Sequence, residues 1–392
     1  MNLRNQATIS NVHVYHSDFR FESRILRCTW SAVTAGNLDR ADIIARHSPD
    51  QLEYERIDDQ RAVYRLSTPF ALSRLGKVGK VIALMLWQAR VFLMLLRLRP
   101  SVISPHSVEV LPTCAIAAFI LRAKVIYETH ELESQKSGAG PMYQHLTDFA
   151  ERIFCRHCSL IVTVCDPITD WYQARYPSNH VVTVRNFPLR SQGLDSPRAG
   201  LRAELGISED RTLLIYQGAV GEGRGIRPIL EAFSNDLALP MDLLVMGYGE
   251  LVDNVLDLSR QDKRVHYMPA VPPTEVLGVT SQADIGLCLI EGVSLSYEYS
   301  LPNKLLEATM AGIPSIVSDL PEMQRFVTER NCGWVTTPDA SAFVALLRKL
   351  TPEEICDKRN AAVRSSQTMD WQSEVAPVIA EYHKLRNSLN DA

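Results

Sequence analysis

Short apolar runs rich in β-branched residues alternate along the chain with longer segments in which apolar residues recur at helical spacing. The short runs predict strands and the longer segments predict helices. Strands that alternate with helices are typical of βαβ units and a parallel sheet. In the first half, the predicted strands are 11–16, 41–45, 101–106, 124–130, 160–165 and 181–186, and the predicted helices are 20–34, 77–99, 110–122, 141–157 and 167–176.

The pattern stops near the middle of the chain and then resumes. Residues 188–200, PLRSQGLDSPRAG, show no periodicity and are rich in Pro, Gly and Ser, which indicates a linker. A second α/β series follows, with predicted strands at 212–218, 241–247, 264–269, 285–290, 314–319 and 333–337. The sequence therefore predicts an α/β protein with two Rossmann-like, doubly wound domains. Because ligands bind beyond the carboxyl ends of parallel strands, the loops after the strands are the places to look for chemistry.

Composition narrows the class of protein. The net charge of −4 over 392 residues gives no global basic field, so nucleic acid is not an expected partner and any cationic site must be local. Several of the eight cysteines lie inside apolar runs, as expected of a reducing, cytoplasmic compartment. Cys155 and Cys158 have metal-like spacing but no second pair follows, so we predict no metal site.

One segment has the composition of a membrane-binding helix. Residues 77–99 are rich in Leu, Met and Val but contain Gln88 and Arg90, and we expect the segment to be too short and too charged to span a bilayer. Two alternatives stay open, a buried helix or an amphipathic helix on an anionic lipid surface. The N-terminal residues lack the apolar core of a signal peptide.

A glycine-rich loop follows the first predicted strand of the second half. In YQGAVGEGRGIRPILEAF (216–233), Gly218, Gly223 and Gly225 surround Arg224 just before a predicted helix. Free backbone N–H groups, close backbone approach and a cation suit a phosphate. The loop lacks the Lys-Ser/Thr of a P-loop and the register of a dinucleotide fingerprint, and a plain flexible loop is the alternative.

A second candidate is the helix in SLPNKLLEATMAGIPSI (300–316). The helix should begin at Pro302 and end at Gly312. Helical spacing then puts Asn303, Lys304 and Glu307 on one exposed side. A Lys opposes the dipole at a helix start unless it shares an anion with the free N–H groups, and a diphosphate would be such an anion. Glu307 could accept hydrogen bonds from a ribose, whereas the plain alternative is a surface Lys–Glu pair.

These segments resemble the GT-B glycosyltransferases of family 4 (GT4, glycosyltransferase group 1). LPNKLLEATMAGIPSIVSD resembles the donor-site segment of that family, and the glycine-rich loop resembles its phosphate loop. The resemblance implies two facing Rossmann-like domains, with acceptor bound by the first and nucleotide-sugar by the second. It implies a last helix that crosses back to the first domain, which places the domains at 1–187 with 371–392, a linker at 188–210, and 211–370.

The resemblance also implies roles for individual residues. Glu307 matches the second Glu of the family's E-x7-E motif, and Arg224 matches the basic residue of the phosphate loop. His130 matches a histidine near the transferred sugar. With Lys304 as a second phosphate cation, the implied catalytic residues are His130, Arg224, Lys304 and Glu307. The implied donor-binding residues are Gly218, Gly223, Arg224, Gly225, Gly247, Met268, Tyr299, Leu301, Pro302, Asn303, Lys304, Leu305 and Glu307.

Two positions depart from the family pattern. Ala219 stands where the phosphate loop usually has Arg, and Tyr299 stands where the first Glu of E-x7-E is expected. Glu298 and Glu291 are the nearby carboxylates that could replace that Glu. On the acceptor side, we expect Asp18, Glu22 and Arg24, which follow the first strand, to line the cleft, although an ordinary solvated helix start explains them equally well.

The resemblance thus implies a retaining, metal-independent glycosyltransferase with no cofactor beyond its nucleotide-sugar substrate. The expected acceptor is a glycan or a lipid-linked molecule in cell-surface polysaccharide or glycolipid synthesis. The expected location is the cytoplasm, peripheral to the inner face of the membrane through 77–99. A GT-B nucleotide-sugar epimerase and a catalytically silent nucleotide-binding subunit are the alternatives.

Overall fold

A computed structural model describes residues 8–20, 22–68, 76–136, 138, 140–189 and 200–390. The chain divides into two compact units, one of Met1–Val184 with Gln372–Ala392 and the other of Arg185–Trp371. This division separates two independent sheets, as the alternating sequence pattern predicts.

The first unit is built on an eight-stranded sheet with the strand order β3-β4-β2-β1-β5-β6-β7-β8. All neighbours pair in parallel except β3, which runs antiparallel to β4. Its strands are β1 (Ser10–Val14), β2 (Arg40–Arg46), β3 (Tyr54–Arg56), β4 (Arg61–Leu66), β5 (Val102–Pro105), β6 (Lys124–Glu128), β7 (Leu160–Thr163) and β8 (Val181–Thr183). Its helices before residue 185 are α1 (Ser23–Thr34), α2 (Gly76–Leu98), α3 (Leu111–Leu121), α4 (Pro141–Phe154) and α5 (Asp166–Arg175).

The second unit carries a six-stranded parallel sheet with the order β11-β10-β9-β12-β13-β14. Its strands are β9 (Thr212–Ala219), β10 (Met241–Tyr248), β11 (Val265–Pro269), β12 (Ile285–Cys288), β13 (Ser315–Ser318) and β14 (Gly333–Thr336). Its helices are α6 (Leu201–Leu205), α7 (Ile226–Asn235), α8 (Val252–Gln261), α9 (Val276–Thr280), α10 (Leu295–Glu298), α11 (Asn303–Met310), α12 (Pro321–Arg330), α13 (Ala340–Leu347) and α14 (Pro352–Ser366). The two parallel-dominated sheets confirm the predicted α/β class.

The last helix, α15 (Trp371–Asn390), belongs from Gln372 onward to the first unit. Tyr382 is buried there, and its hydroxyl accepts a hydrogen bond of 2.7 Å from Asn11 Nδ2 on β1. Arg386 donates to the Asn37 carbonyl at 3.2 Å. These contacts anchor the C-terminal helix beside the central strand of the first sheet.

The predicted linker is only partly within the described residues, because 190–199 lie outside them. The rest of its C-terminal part, 200–210, is not a simple connection. Leu201 on α6 and Ile207 are buried in a hydrophobic cluster that also contains Leu213 of β9. Apolar burial therefore makes this stretch part of the second unit, where the sequence analysis expected a linker.

Helix α2 has the length that the sequence analysis predicted, and Gln88 and Arg90 do not interrupt it. It is unbroken over 23 residues, and by length and composition alone Val78–Leu98 is apolar enough to cross a membrane. Trp87, Val91 and Leu95 on one face are fully buried, so this face belongs to the core of the first unit. Arg90 donates to Ser67 Oγ at 3.0 Å, which shows how the helix accommodates that charge.

Candidate active site

The glycine-rich loop of the second unit connects β9 to α7 and packs tightly against the segment after β12. Gly225 has φ +79°, and a Cβ there would lie 1.9 Å from the Leu289 carbonyl oxygen. The backbone N–H of Glu291 donates to the Gly223 carbonyl at 3.0 Å. Only glycine allows this backbone conformation and this close approach. The loop is therefore held beside the strand end that leads to α11.

Two cations from these segments lie in one neighbourhood. The Arg224 guanidinium is 5.9 Å from the centre of the Tyr297 ring, and Lys304 Nζ is 3.7 Å from the centre of the Tyr216 ring. Burial raises the pKa of Cys288, at the end of β12, to about 11, while the positive charges of Lys304 and Arg224 act to lower it. The structure thus brings together two predicted phosphate cations that are 80 residues apart in sequence.

Lys304 differs from the sequence expectation in its burial. We expected it on the exposed side of the helix, but only 9% of it is exposed. Its Nζ has no hydrogen-bond partner within the described residues and is stabilised by the Tyr216 ring face alone. A buried ammonium without a hydrogen bond is costly, which makes Lys304 a candidate anion-binding group.

Glu307, one turn further along α11, is oriented by a short polar chain. Gln217 Nε2, at the end of β9, donates to Glu307 Oε2 at 2.6 Å, and Thr280 Oγ1 donates to Gln217 Oε1 at 2.5 Å. The amide of Gln217 is thereby fixed with its nitrogen toward the carboxylate. The half-buried carboxylate is held at the carboxyl edge of the sheet.

The remaining predicted donor residues fall into two groups. Leu301 and Leu305 are buried, and Met268 packs against a hydrophobic cluster, so these three support the site through packing. The others lie near strand ends and at or just before the start of α11, and all but Gly247 are at least partly exposed. They are Gly218, which has φ +103° and open space beside it, the close-packed Gly247, the helix N-cap Pro302, the exposed Asn303, and the half-buried Tyr299.

On the first unit, the predicted acceptor residues do not form a common surface. Arg24 is buried, and its Nε donates to Glu128 Oε2 at 3.3 Å and its Nη1 to the Val184 carbonyl at 2.6 Å. Its Nη2 has no hydrogen-bond partner within the described residues. Its burial differs from the expectation of an exposed helix start, and its role in acceptor binding stays a prediction. Asp18 pairs with Arg20 at 2.8 Å, and Glu22 is the half-buried N-cap of α1.

His130 lies just after β6 at the end of a buried row of histidines. Its Nε2 is 2.9 Å from His106 Nδ1, and His106 Nε2 is 2.8 Å from His13 Nδ1. Asn11 Nδ2 lies 3.0 Å from the other ring nitrogen of His13. Burial lowers the pKa of His13 to about 4 and holds those of His106 and His130 well below the usual value. All three imidazoles are therefore neutral at neutral pH.

Sequence reasoning missed Asn11, His13 and His106. The signal was present as three tripeptides that end in histidine and lie in or just after strands, Asn-Val-His (11–13), Ser-Pro-His (104–106) and Glu-Thr-His (128–130). Because β1, β5 and β6 are neighbours in the sheet, the three histidines lie next to one another and form a continuous row.

A second group that sequence reasoning missed surrounds Glu109, which follows β5. Its carboxylate lies 3.4 Å from His16 Nδ1 and accepts from the Tyr143 hydroxyl at 3.5 Å. The hydrogen bond from His16 lowers the pKa of Glu109. Glu109 is therefore a weak base at the carboxyl edge of the first sheet.

Comparisons with known proteins agree with this architecture. Residues 211–352 match the family model "Glycosyl transferases group 1", and residues 35–187 match "Glycosyltransferase Family 4". These matches fall on both units, and the chain is a GT-B glycosyltransferase of the family 4 type. No curated protein matches the chain by sequence.

Solved structures with the same fold cover nearly the whole chain at low identity. Sucrose-phosphate synthase from Thermosynechococcus elongatus superposes with a TM-score of 0.72 at 15% identity, covering 97% of this chain and 100% of its own. HepE from Anabaena, solved with UDP-glucose, gives 0.72 at 14% identity, with coverage of 96% and 99%. WaaG, described as a glycosyltransferase involved in lipopolysaccharide biosynthesis, gives 0.68 at 14% identity, with coverage of 94% and 98%.

Proposed function

We propose that this glycosyltransferase moves a sugar, with retention at the anomeric carbon and without a metal ion, from a nucleotide-diphosphate sugar to a glycan or lipid-linked acceptor. The observation that carries the proposal is Lys304, whose buried Nζ has no hydrogen-bond partner within the described residues. A diphosphate would supply the missing acceptor and compensate the cost of burying the charge. Arg224 and the N-terminal N–H groups of α11 would share the same anion.

The chemistry follows from where charge develops. When the bond to the sugar breaks, negative charge grows on the leaving diphosphate, and fixed cations in a water-poor site stabilise it. Lys304 and Arg224 would have this role in the second unit. Glu307, held by Gln217, would accept hydrogen bonds from the ribose hydroxyls and so position the nucleotide.

The sugar end of the donor site departs from the family pattern at Tyr299. Glu298 is exposed and its Cγ lies 3.7 Å from the position of a Cβ on Gly292, in the loop after β12. Glu291 is half-buried at the start of that loop. One of these two carboxylates would contact the sugar hydroxyls that the missing Glu binds in the family.

The proposed location is the surface of an anionic membrane, which suits a lipid-linked acceptor. Helices α2, α3 and α4 pack side by side and expose large apolar side chains. Exposed basic residues lie nearby, such as Arg97 on α2 and Arg122 at the C-cap of α3. Contiguous exposed apolar surface with a basic rim is typical of membrane-binding sites. The apolar residues are Val78, Val81, Ile82, Met85, Leu86 and Leu93 on α2, Ile116, Phe119 and Ile120 on α3, and Met142, Leu146 and Phe149 on α4.

The test is ligand stabilisation followed by turnover. HepE was solved with UDP-glucose, so the screen begins with UDP and UDP-glucose and continues through other nucleoside diphosphates and their sugars. We expect one diphosphate to raise the melting temperature, and its sugar to yield free diphosphate when an acceptor extract is added. If no nucleotide stabilises the protein, the proposed donor site is wrong.

The two alternatives give different products. An epimerase converts the bound donor without an acceptor, and nuclear magnetic resonance of donor plus enzyme alone detects that product. A silent subunit binds the nucleotide and transfers sugar to no member of a broad acceptor panel. Either result would contradict the proposed transfer.

A further inference from the structure

The histidine row on the first unit has a defined direction. The side-chain amide nitrogen of Asn11 can only donate, so the Nε2 atom of His13, 3.0 Å away, must accept. In this orientation Asn11 Nδ2 also lies 2.9 Å from Ser104 Oγ and 2.7 Å from the Tyr382 hydroxyl, and Oδ1 lies 3.3 Å from Ser104 Oγ. A neutral His13 whose Nε2 accepts carries its proton on Nδ1.

The direction propagates along the row because each imidazole is neutral and has one N–H. His13 Nδ1–H donates to His106 Nε2 at 2.8 Å, so the proton of His106 is on Nδ1. That N–H donates to His130 Nε2 at 2.9 Å, so the proton of His130 is also on Nδ1. Glu128 Oε2, 3.9 Å from His106 Nδ1, favours a proton there.

A buried metal ion does not explain this geometry. His13, His106 and Glu128 offer ligand atoms within 4.8 Å of one another. Two imidazole nitrogens bound to one tetrahedral zinc ion at about 2.0 Å lie more than ~3 Å apart. His13 Nδ1 and His106 Nε2 are 2.8 Å apart, which is the distance of a hydrogen bond with the proton between the two nitrogens.

We propose that the row Asn11–His13–His106 fixes His130 in its Nδ1–H tautomer, so that His130 presents an N–H donor to the substrate. His13 and His106 are positioning residues, since neither is exposed and each acts through the next. Tyr15 stacks on the His130 ring, with centroids 5.1 Å apart, and restrains its plane. The inference rests on the proposed function in one respect, that the group receiving the hydrogen bond is a hydroxyl of the bound sugar.

The direct test is the tautomer of His130 in the full-length protein. Nitrogen-15 resonances distinguish protonated from bare ring nitrogens, and the spectrum of His130→Gln identifies the His130 signals among the ten histidines. We expect a protonated Nδ1 and a bare Nε2 in the wild type, opposite to the tautomer that free imidazole side chains favour in water. A protonated Nε2 on neutral His130 would overturn the proposal.

Asn11→Asp tests the direction of the row. The aspartate has the size of Asn11 but accepts from His13 Nε2–H, so we expect the protons of His13, His106 and His130 to move to Nε2. His106→Leu, which breaks the row, should return His130 to the tautomer of free histidine. If both variants fold and His130 keeps a protonated Nδ1, the row does not set its tautomer.

Kinetics and metal addition complete the test. We expect Asn11→Asp to lower kcat on the order of 100-fold, as for loss of one positioned donor, while the nucleotide diphosphate still raises the melting temperature as in the wild type. If the protein transfers no sugar, the tautomer measurement still decides the inference.

Zinc added to the wild type should leave the His13 and His106 signals unchanged, and their loss would assign a metal site instead.

Discussion

The buried ammonium of Lys304 should lower the stability of the free protein and raise its affinity for a nucleotide diphosphate. Its ammonium is buried over the Tyr216 ring without a hydrogen bond in the described part of the chain, so the free protein bears the cost of desolvating a charge. We expect Lys304→Met to fold with equal or greater stability and to bind the nucleotide diphosphate roughly 10- to 100-fold more weakly, as for loss of one charged hydrogen bond. Chemical unfolding and calorimetric titration measure the two quantities.

The control for this change is Lys349→Met, which removes an exposed lysine from the same unit. It should leave the affinity unchanged. A Lys304→Met protein that is strongly destabilised yet binds normally would show that the lysine is a structural residue.

Because of the buried histidines, we expect the free energy of unfolding to fall at acid pH. Burial, opposed in part by the charge of Glu128, lowers the pKa of His13 from 6.5 to about 4. Between these values the unfolded chain binds a proton that the folded chain does not, so the free energy of unfolding falls as pH falls from 6.5 toward 4. For His13 alone the full loss is on the order of 3 kcal/mol. His106 and His130 act in the same direction, since burial also lowers their pKa values.

We therefore expect His13→Gln to lose less stability than the wild type between pH 7 and pH 4, as urea unfolding at several pH values would measure. The exposed His145 provides the matched control, since His145→Gln should follow the wild-type slope. Parallel curves for His13→Gln and wild type would contradict a depressed pKa at His13.

At the scale of elements, continuous apolar patterning made the parallel strands predictable. Strands such as β9 and β13 are buried on both faces, and their apolar sequences stand out against the flanking loops. The sequence analysis missed β3 and β4, because the edge strand Tyr-Glu-Arg is wholly exposed and its neighbour Arg61–Leu66 mixes arginines with apolar residues. Edge strands lack the double-sided burial that gives the pattern.

The candidate site was predictable only where its residues are local in sequence. Arg224, Lys304 and Glu307 lie in recognisable loop and helix-start motifs. The burial of Lys304 depends on the ring of Tyr216, 88 residues earlier, and the row from Asn11 to His130 depends on the order of strands β1, β5 and β6. Such proximity follows from topology rather than from local pattern.

The exposed apolar surface formed by helices α2, α3 and α4 can be tested by lipid binding. Phe119 and Phe149 lie on neighbouring helices with 86% and 63% of their areas exposed. We expect the wild type to bind vesicles that contain phosphatidylglycerol, and Phe119→Ser with Phe149→Ser to weaken this at least tenfold in co-sedimentation, since each change removes roughly 2 kcal/mol of apolar contact with lipid.

Leu237 is 78% exposed on the second unit and serves as the control, so Leu237→Ser should bind vesicles as the wild type does. Arg97→Gln should weaken binding only at low salt, because its contribution is electrostatic. Equal binding of the double Phe variant and the wild type would remove this surface from the proposal.

At the scale of the whole molecule, the groups on the two units bear on the stereochemical outcome. An inverting transfer needs a strong base to deprotonate the acceptor, whereas a retaining transfer with a diphosphate leaving group depends chiefly on stabilising the leaving charge. Two candidate bases of the first unit are weak, because burial holds the pKa of His130 well below its usual value and the hydrogen bond from His16 lowers the pKa of Glu109. The second unit supplies the cations Arg224 and Lys304.

We therefore expect the first product, observed by proton magnetic resonance before any mutarotation, to keep the anomeric configuration of the donor. Inversion, together with loss of activity in Glu109→Gln at unchanged donor affinity, would instead identify Glu109 as the base.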